Sequence, residues 1–273
     1  MIRFSRVLMT ASVLCIIIFG LLFLHSNKEY AEGDAAYQEI QSAVRERTQA
    51  KQENADISGQ QAASLQEQTA KSEEIPLPAY PDLSVSMDFS GLKAINPDAA
   101  GWIWAYDDVI NYPVVLGNDN DYYLTHLFNG KSNRLGSVFM DYRSKGDFSD
   151  RNTAVYGHNM KDGSMFSSLN KYKKQEYYEK FPEMLLYTPE GNYKLEFFAG
   201  ILASGSDEFI RLDFSDDEDF LSYTEEMKKK STFKSDVSLE PGDRIVTLCT
   251  CSYDFHNARY ALFGKLAEVA DFR

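Results

Sequence analysis

The sequence predicts a mainly β chain with peripheral helices, its strands closing into a small barrel behind an apolar N-terminal segment and a polar spacer. Three observations carry that reading. Between Asn152 and Arg273, short β-branched and aromatic runs are set apart by turn clusters, as strands linked by hairpins require. After the turn Pro189-Glu190-Gly191-Asn192, residues Tyr193, Leu195 and Phe197 alternate with Lys194 and Glu196, a period of two that gives one buried and one wet face. Helical patterning in this region is confined to Ser167–Lys180, stopped by Pro182, and to Ser215–Phe233.

From the N-terminus, Val7 to Leu24 is almost wholly apolar, with Thr10 and Ser12 its only hydroxyls, and approaches the length a bilayer core requires. Arg3 and Arg6 precede it, whereas Lys28 and Glu29 after it balance each other. The positive-inside rule therefore puts the N-terminus in the cytoplasm and the rest of the chain outside. Phe23-Leu24-His25-Ser26 offers no small-x-small cleavage site, which favours a retained signal anchor over a cleaved signal peptide. Residues 1–25 are expected to be a cytoplasmic tip and membrane anchor. From Ser26 to Pro81 the chain is polar and rich in Gln, Glu, Ala and Lys. Tyr37, Ile40 and Val44 give a short helical stripe without a sustained heptad, and Pro76, Pro78 and Pro81 mark a stiff boundary. The expectation is a flexible extracellular stalk over 26–81 and a single domain over 82–273.

Within that domain Ala154-Val155-Tyr156 reads as a short strand opening into the turn Gly157-His158-Asn159, and Met184–Thr188 with Tyr193–Gly200 as a hairpin. Ser215–Phe233 reads as a helix. Ser215 and Glu218 form a capping box. Asp216, Asp217 and Asp219 in the first turn and Lys228, Lys229 and Lys230 in the last complement the macrodipole. Glu225 and Glu226 stand four residues before Lys229 and Lys230, the favourable order for paired charges. Phe220, Tyr223, Thr224 and Met227 share one face, which is expected to pack on the sheet. Pro241-Gly242-Asp243-Arg244 is a turn, Ile245–Leu248 a strand, and Arg259–Phe263 the strand beside it.

The chemistry gathers at the end of the Ile245 strand, in Thr247-Leu248-Cys249-Thr250-Cys251, with Arg259 eight residues further on. A cysteine at a strand end is open to substrate, and a guanidinium on the neighbouring strand can lie beside its sulfur. Thiol-based acyl transfer needs that pair: a nucleophile that becomes thiolate, and a fixed positive donor for the oxygen that gains charge. It also needs a histidine, and the chain has four. His25 abuts the apolar segment, His126 lies in an aromatic run, and His256 follows Tyr253-Asp254-Phe255 in the last loop. His158 ends a strand in the context Gly-His-Asn.

His158, Cys251 and Arg259 in that order, with Thr-Leu-x-Thr-Cys ending on the nucleophile, resemble the sortase signature. The resemblance implies His158, Cys251 and Arg259 as catalytic residues and Thr250 as a substrate-binding one. Asn96–Ile103, Ile110–Val115, Asp119–Leu124, Gly136–Asp141 and the helical insert before the cysteine strand are similar to class B sortases. The likeness covers residues 88–273. It implies an eight-stranded barrel and a cysteine transpeptidase needing no cofactor. Such an enzyme cleaves an Asn-Pro-x-Thr-like sorting signal after Thr. Its implied partners are secreted proteins bearing that signal, and an acceptor amine on a peptidoglycan precursor or a pilin lysine, at a Gram-positive cell surface.

The variable position of the signature is Cys249. Strand side chains alternate, so Cys249 and Cys251 face one side, yet they lie too far apart along an extended strand for unstrained disulfide geometry. Cys249 reads as a small buried hydrophobe. Cys15 is the only other cysteine, so there is no disulfide framework. The net charge of −13 argues against nucleic acid and anionic membrane surfaces as electrostatic partners. The sequence holds no Gly-rich phosphate loop and no metal-ligand spacing. Three rival readings fit less well. A papain-like peptidase places Cys before His, the reverse of this order. An L,D-transpeptidase keeps its His close before the Cys in a Gly-rich motif. A surface binding protein has no use for an intact Cys-His-Arg set.

Overall fold

The computed structural model describes residues 2–59, 87–105 and 109–269. Helix α1 (Ile2–Gly59) leads the chain, and its apolar stretch leaves Ile16 70% and Phe19 71% exposed. Among the described residues it is the one helix long and apolar enough to cross a membrane. The helix does not end with the apolar stretch. Tyr37 and Ile40 are buried and Val44 packs beside them. Tyr37 donates its hydroxyl to Gly136 O at 2.6 Å, and Gln41 its amide to Asn111 O at 2.7 Å. The flexible stalk expected from residue 26 is therefore corrected over 26–44. The stripe Tyr37–Ile40–Val44 has the three-to-four spacing of one helix face, and the domain supplies the apolar surface that face needs. The remainder of the expected stalk over 60–81, with its boundary to the domain, lies outside the described residues.

After the short helix α2 (Phe89–Ile95), eight strands close a barrel. They are β1 (Ala99–Trp104), β2 (Asn111–Val115), β3 (Val138–Met140), β4 (Asn152–Tyr156), β5 (Glu183–Tyr187), β6 (Asn192–Ser204), β7 (Ile245–Cys251) and β8 (Ala258–Glu268). Around the barrel they run β1-β2-β3-β4-β7-β8-β6-β5, with β5 pairing β1 to close it. The eight-stranded barrel with peripheral helices is the expected fold. Two joints are parallel, β2 with β3 and β4 with β7. The second matters most: it brings the C-terminal ends of β4 and β7 to the same rim.

The alternation of Tyr193, Leu195 and Phe197 holds at the start of β6, with Lys194 and Glu196 partly exposed. From Phe197 to Ile201 both faces are buried, because α4 (Asp217–Lys230) covers the outside there. Phe220, Tyr223 and Met227 of α4 pack with Phe198, Ala199, Ile201 and Phe263, a second core outside the barrel. The expected apolar face is thus the observed one. Its cap is different: Asp216, not Ser215, accepts from the backbone of Asp219 at 2.9 Å. Arg211 and Ser215 both turn toward the Asp219 carboxylate, so Ser215 is spent outside the helix. Glu226 pairs with Lys230 as expected, whereas Glu225 reaches Lys228.

The helix expected over Ser167–Lys180 is split. Ser167–Lys173 is a 3₁₀ segment, Lys174 is extended, and α3 covers Gln175–Lys180. Phe166, Leu169 and Tyr172 are all buried, and spacings of three stack on one edge at 3.0 residues per turn. An α-helix would fan them apart.

Candidate active site

Strand β7 pairs antiparallel with β8 so that Cys251 lies directly across from Arg259. A thiol and a guanidinium thus face each other across one register position, both half-buried. The β4–β7 joint pairs Tyr156 with Cys249, which carries Gly157 and His158 on beside Thr250 and Cys251. Three hydrogen bonds fasten the turn there: Gly157 N to Cys249 O at 3.2 Å, Thr250 Oγ1 to Gly157 O at 2.7 Å, and Asn159 Nδ2 to Cys251 O at 2.9 Å. Asn170 Nδ2, from the 3₁₀ segment, also donates to Cys251 O, at 3.2 Å. Gly157 is required for close approach, since an added Cβ would meet Phe166 Cγ at 2.7 Å. His158 Nε2 lies 2.7 Å from Leu124 O. A carbonyl can only accept, so this nitrogen carries the hydrogen and Nδ1 remains the free ring position for proton exchange.

Beside this pair a cavity of about 480 Å³ is lined by Cys249, Arg259, Tyr156, Arg143 and the 205–213 segment. Cys249 is 5% exposed. Burial pushes its thiol up to about 12, against the opposing influence of Arg259. Behind Tyr156, Asp141 is fully buried. Burial alone would raise its pKa, but a bidentate Arg143 at 2.7 and 2.9 Å and the Tyr156 hydroxyl at 3.0 Å hold it at about 2. On the loop after Cys251, Asp254 takes Lys173 and the Ser252 hydroxyl, and those two donors lower its pKa. Asp254 therefore caps its own loop and leaves Arg259 to donate to Ala258 O at 3.1 Å.

His158, Cys251 and Arg259 thus share one rim. The fourth expected residue plays a different part. Thr250 is 2% exposed with its hydroxyl given to Gly157, so it holds the His158 turn against β7 and offers substrate little. His126 stacks on Tyr122 at 3.9 Å between ring centres, His256 is exposed at a loop tip, and His25 is exposed on α1. Two contributors had no sequence signal of their own. Asn170 reaches Cys251 only through the fold, and Leu124 acts through a carbonyl that any residue would supply. Asn159 could have been singled out, as the residue following His158.

No protein-family model matches the chain. It is 38% identical over 177 residues to Sortase B of Listeria monocytogenes, covering 64% of this chain and 72% of that protein. With Sortase B of Staphylococcus aureus it shares 37% identity over 188 residues, 68% of this chain and 77% of the other. Among solved structures, the Staphylococcus aureus sortase B–substrate complex superposes with a TM-score of 0.72 at 30% identity, over 89% of this chain and all of that one. A Bacillus anthracis protein described as similar to sortase B gives 0.69 at 32% identity, over 88% of this chain and 98% of that one. With the barrel closed as expected and nearly three-quarters or more of each curated relative covered, the chain belongs to the sortase B family and is a sortase-type cysteine transpeptidase.

Proposed function

We propose that Cys251 is the nucleophile, His158 the acid–base residue and Arg259 the oxyanion donor of a transpeptidase acting on an Asn-Pro-x-Thr-like sorting signal. The Cys251 thiolate attacks the carbonyl carbon of the signal's Thr, and His158 as imidazolium protonates the amine of the following residue as it leaves. The thioester so formed is attacked by an amine of a peptidoglycan precursor or a pilin lysine. Neutral His158 then takes the proton, and a new amide replaces the thioester. The carrying observation is the register that sets Cys251 across from Arg259, with the His158 turn tied to the same strand end. The cavity beside Cys249 and Arg259 is the site proposed for the signal. The exposed apolar stretch of α1 supports a membrane anchor with its N-terminus in the cytoplasm and the barrel outside.

The test is acylation by a Pro-x-Thr peptide library, with the thioester sought by mass spectrometry. Cys251→Ala should give none. His158→Ala should lose about 10²–10⁴-fold. Arg259→Lys keeps the charge but loses the planar fork, so it should lose about 10²–10³-fold in rate while melting like the wild type. A folded Arg259→Lys enzyme acylating at the normal rate would leave Arg259 as scaffolding.

A further inference from the structure

We propose that Tyr37, on the helix leading out of the apolar segment, is a positioning residue for His158. This rests on the reading of His158 as the acid–base group. Two separate pieces of chain hold that imidazole, and Tyr37 touches the support of both. The first is the turn 157–166. It closes through Phe166 N to His158 O at 2.9 Å and an Asn159–Met165 bridge. Met165 sits there at φ 55°, a left-handed conformation that a side-chain-bearing residue adopts at a cost. The Tyr112 hydroxyl accepts from Met165 N at 3.1 Å, and the Tyr112 ring meets Tyr37 edge-on at 5.1 Å. The second piece is the segment whose Leu124 carbonyl takes His158 Nε2 at 2.7 Å. Ser137 brackets that residue, its N–H on Tyr123 O and its hydroxyl on His126 O, both at 2.8 Å. Tyr37 donates to Gly136 O at 2.6 Å and lies 3.2 Å from Ser137 Oγ. One buried side chain therefore wedges both supports, and α1 becomes part of the catalytic unit rather than a leash.

The test uses the full chain in detergent with steady-state peptide cleavage. Tyr37→Ala removes both wedges and should lower kcat by about 10- to 100-fold with KM little changed, as expected when a reacting group is misplaced by distant loss of support. Tyr37→Phe keeps the ring on Tyr112 and loses only the hydroxyl contacts, so it should fall between; it also serves if the alanine variant does not fold. Gln41→Ala, which frees the helix from Asn111 O, should keep kcat. In nitrogen-15 spectra the His158 Nε2–H signal should broaden by solvent exchange in Tyr37→Ala and not in Gln41→Ala. A folded Tyr37→Ala enzyme with normal kcat, or with lower kcat but an unmoved His158 signal, overturns the proposal. An active His158→Ala enzyme would instead overturn the reading of the site beneath it.

Discussion

Cys249 and Cys251 sit two residues apart on one strand in unlike settings. Cys249 is closed in between β4 and β8, and burial keeps its thiol protonated at neutral pH, so it is a poor nucleophile. Cys251 is half-exposed at the strand end. Iodoacetamide at pH 8 should therefore label Cys251 first by peptide mapping, and Cys249→Ser should retain most transpeptidation. Preferential labelling of Cys249 with loss of activity in that variant would reverse the assignment. That Cys251 and Arg259 lie together was legible because strand register sets them opposite each other, whereas the His158 turn reaches the same strand end through hydrogen bonds to β7. Thr250 shows the limit of that logic. Its position in the motif was readable, but not that its hydroxyl points back to Gly157, which depends on the parallel β4–β7 joint.

Helix α4 was legible in its face and charge gradient, since both follow from spacing within the helix itself. Its first residue was not. Ser215 and Asp216 are adjacent and both suit an N-cap; Arg211 decides between them by drawing Asp219 toward itself, with Ser215 following. Asp216→Ala should cost about 1 kcal/mol, in the ordinary range for a lost cap, and Ser215→Ala distinctly less, both read by urea denaturation. Equal losses would restore Ser215 to the capping role. The split of Ser167–Lys180 was hidden for a related reason. The one-edge burial of Phe166, Leu169 and Tyr172 that suits a 3₁₀ segment depends on the surface they meet, and Lys173 at its end is held by Ser252 and Asp254 on the β7–β8 loop.

At the scale of the whole molecule, hairpin patterning led to a barrel but could not reveal its two parallel joints, because those pair strands distant in sequence across long crossovers. Nor could composition reveal that α1 belongs to the domain: three apolar residues in a polar tract are too few to mark an interface until the facing surface is known. If the docking of α1 stabilises the barrel, its removal should be measurable. A fragment beginning at residue 82 retains all eight strands and should fold. It leaves the partners of Tyr37 and Ile40 exposed, and burying each such side chain contributes about 1.5–3 kcal/mol. In a domain of this size about 1 kcal/mol moves the melting point by about 2–4 °C. The fragment should thus melt on the order of 10 °C below the full chain by scanning calorimetry in the same detergent. Double replacement of Tyr37 and Ile40 by Ala in the full chain should reproduce much of that drop, because these are the large apolar side chains of α1 that are buried among the described residues. Equal melting points for fragment and full chain would mean that these contacts add nothing to the barrel, and would return residues 26–44 to the role of a spacer.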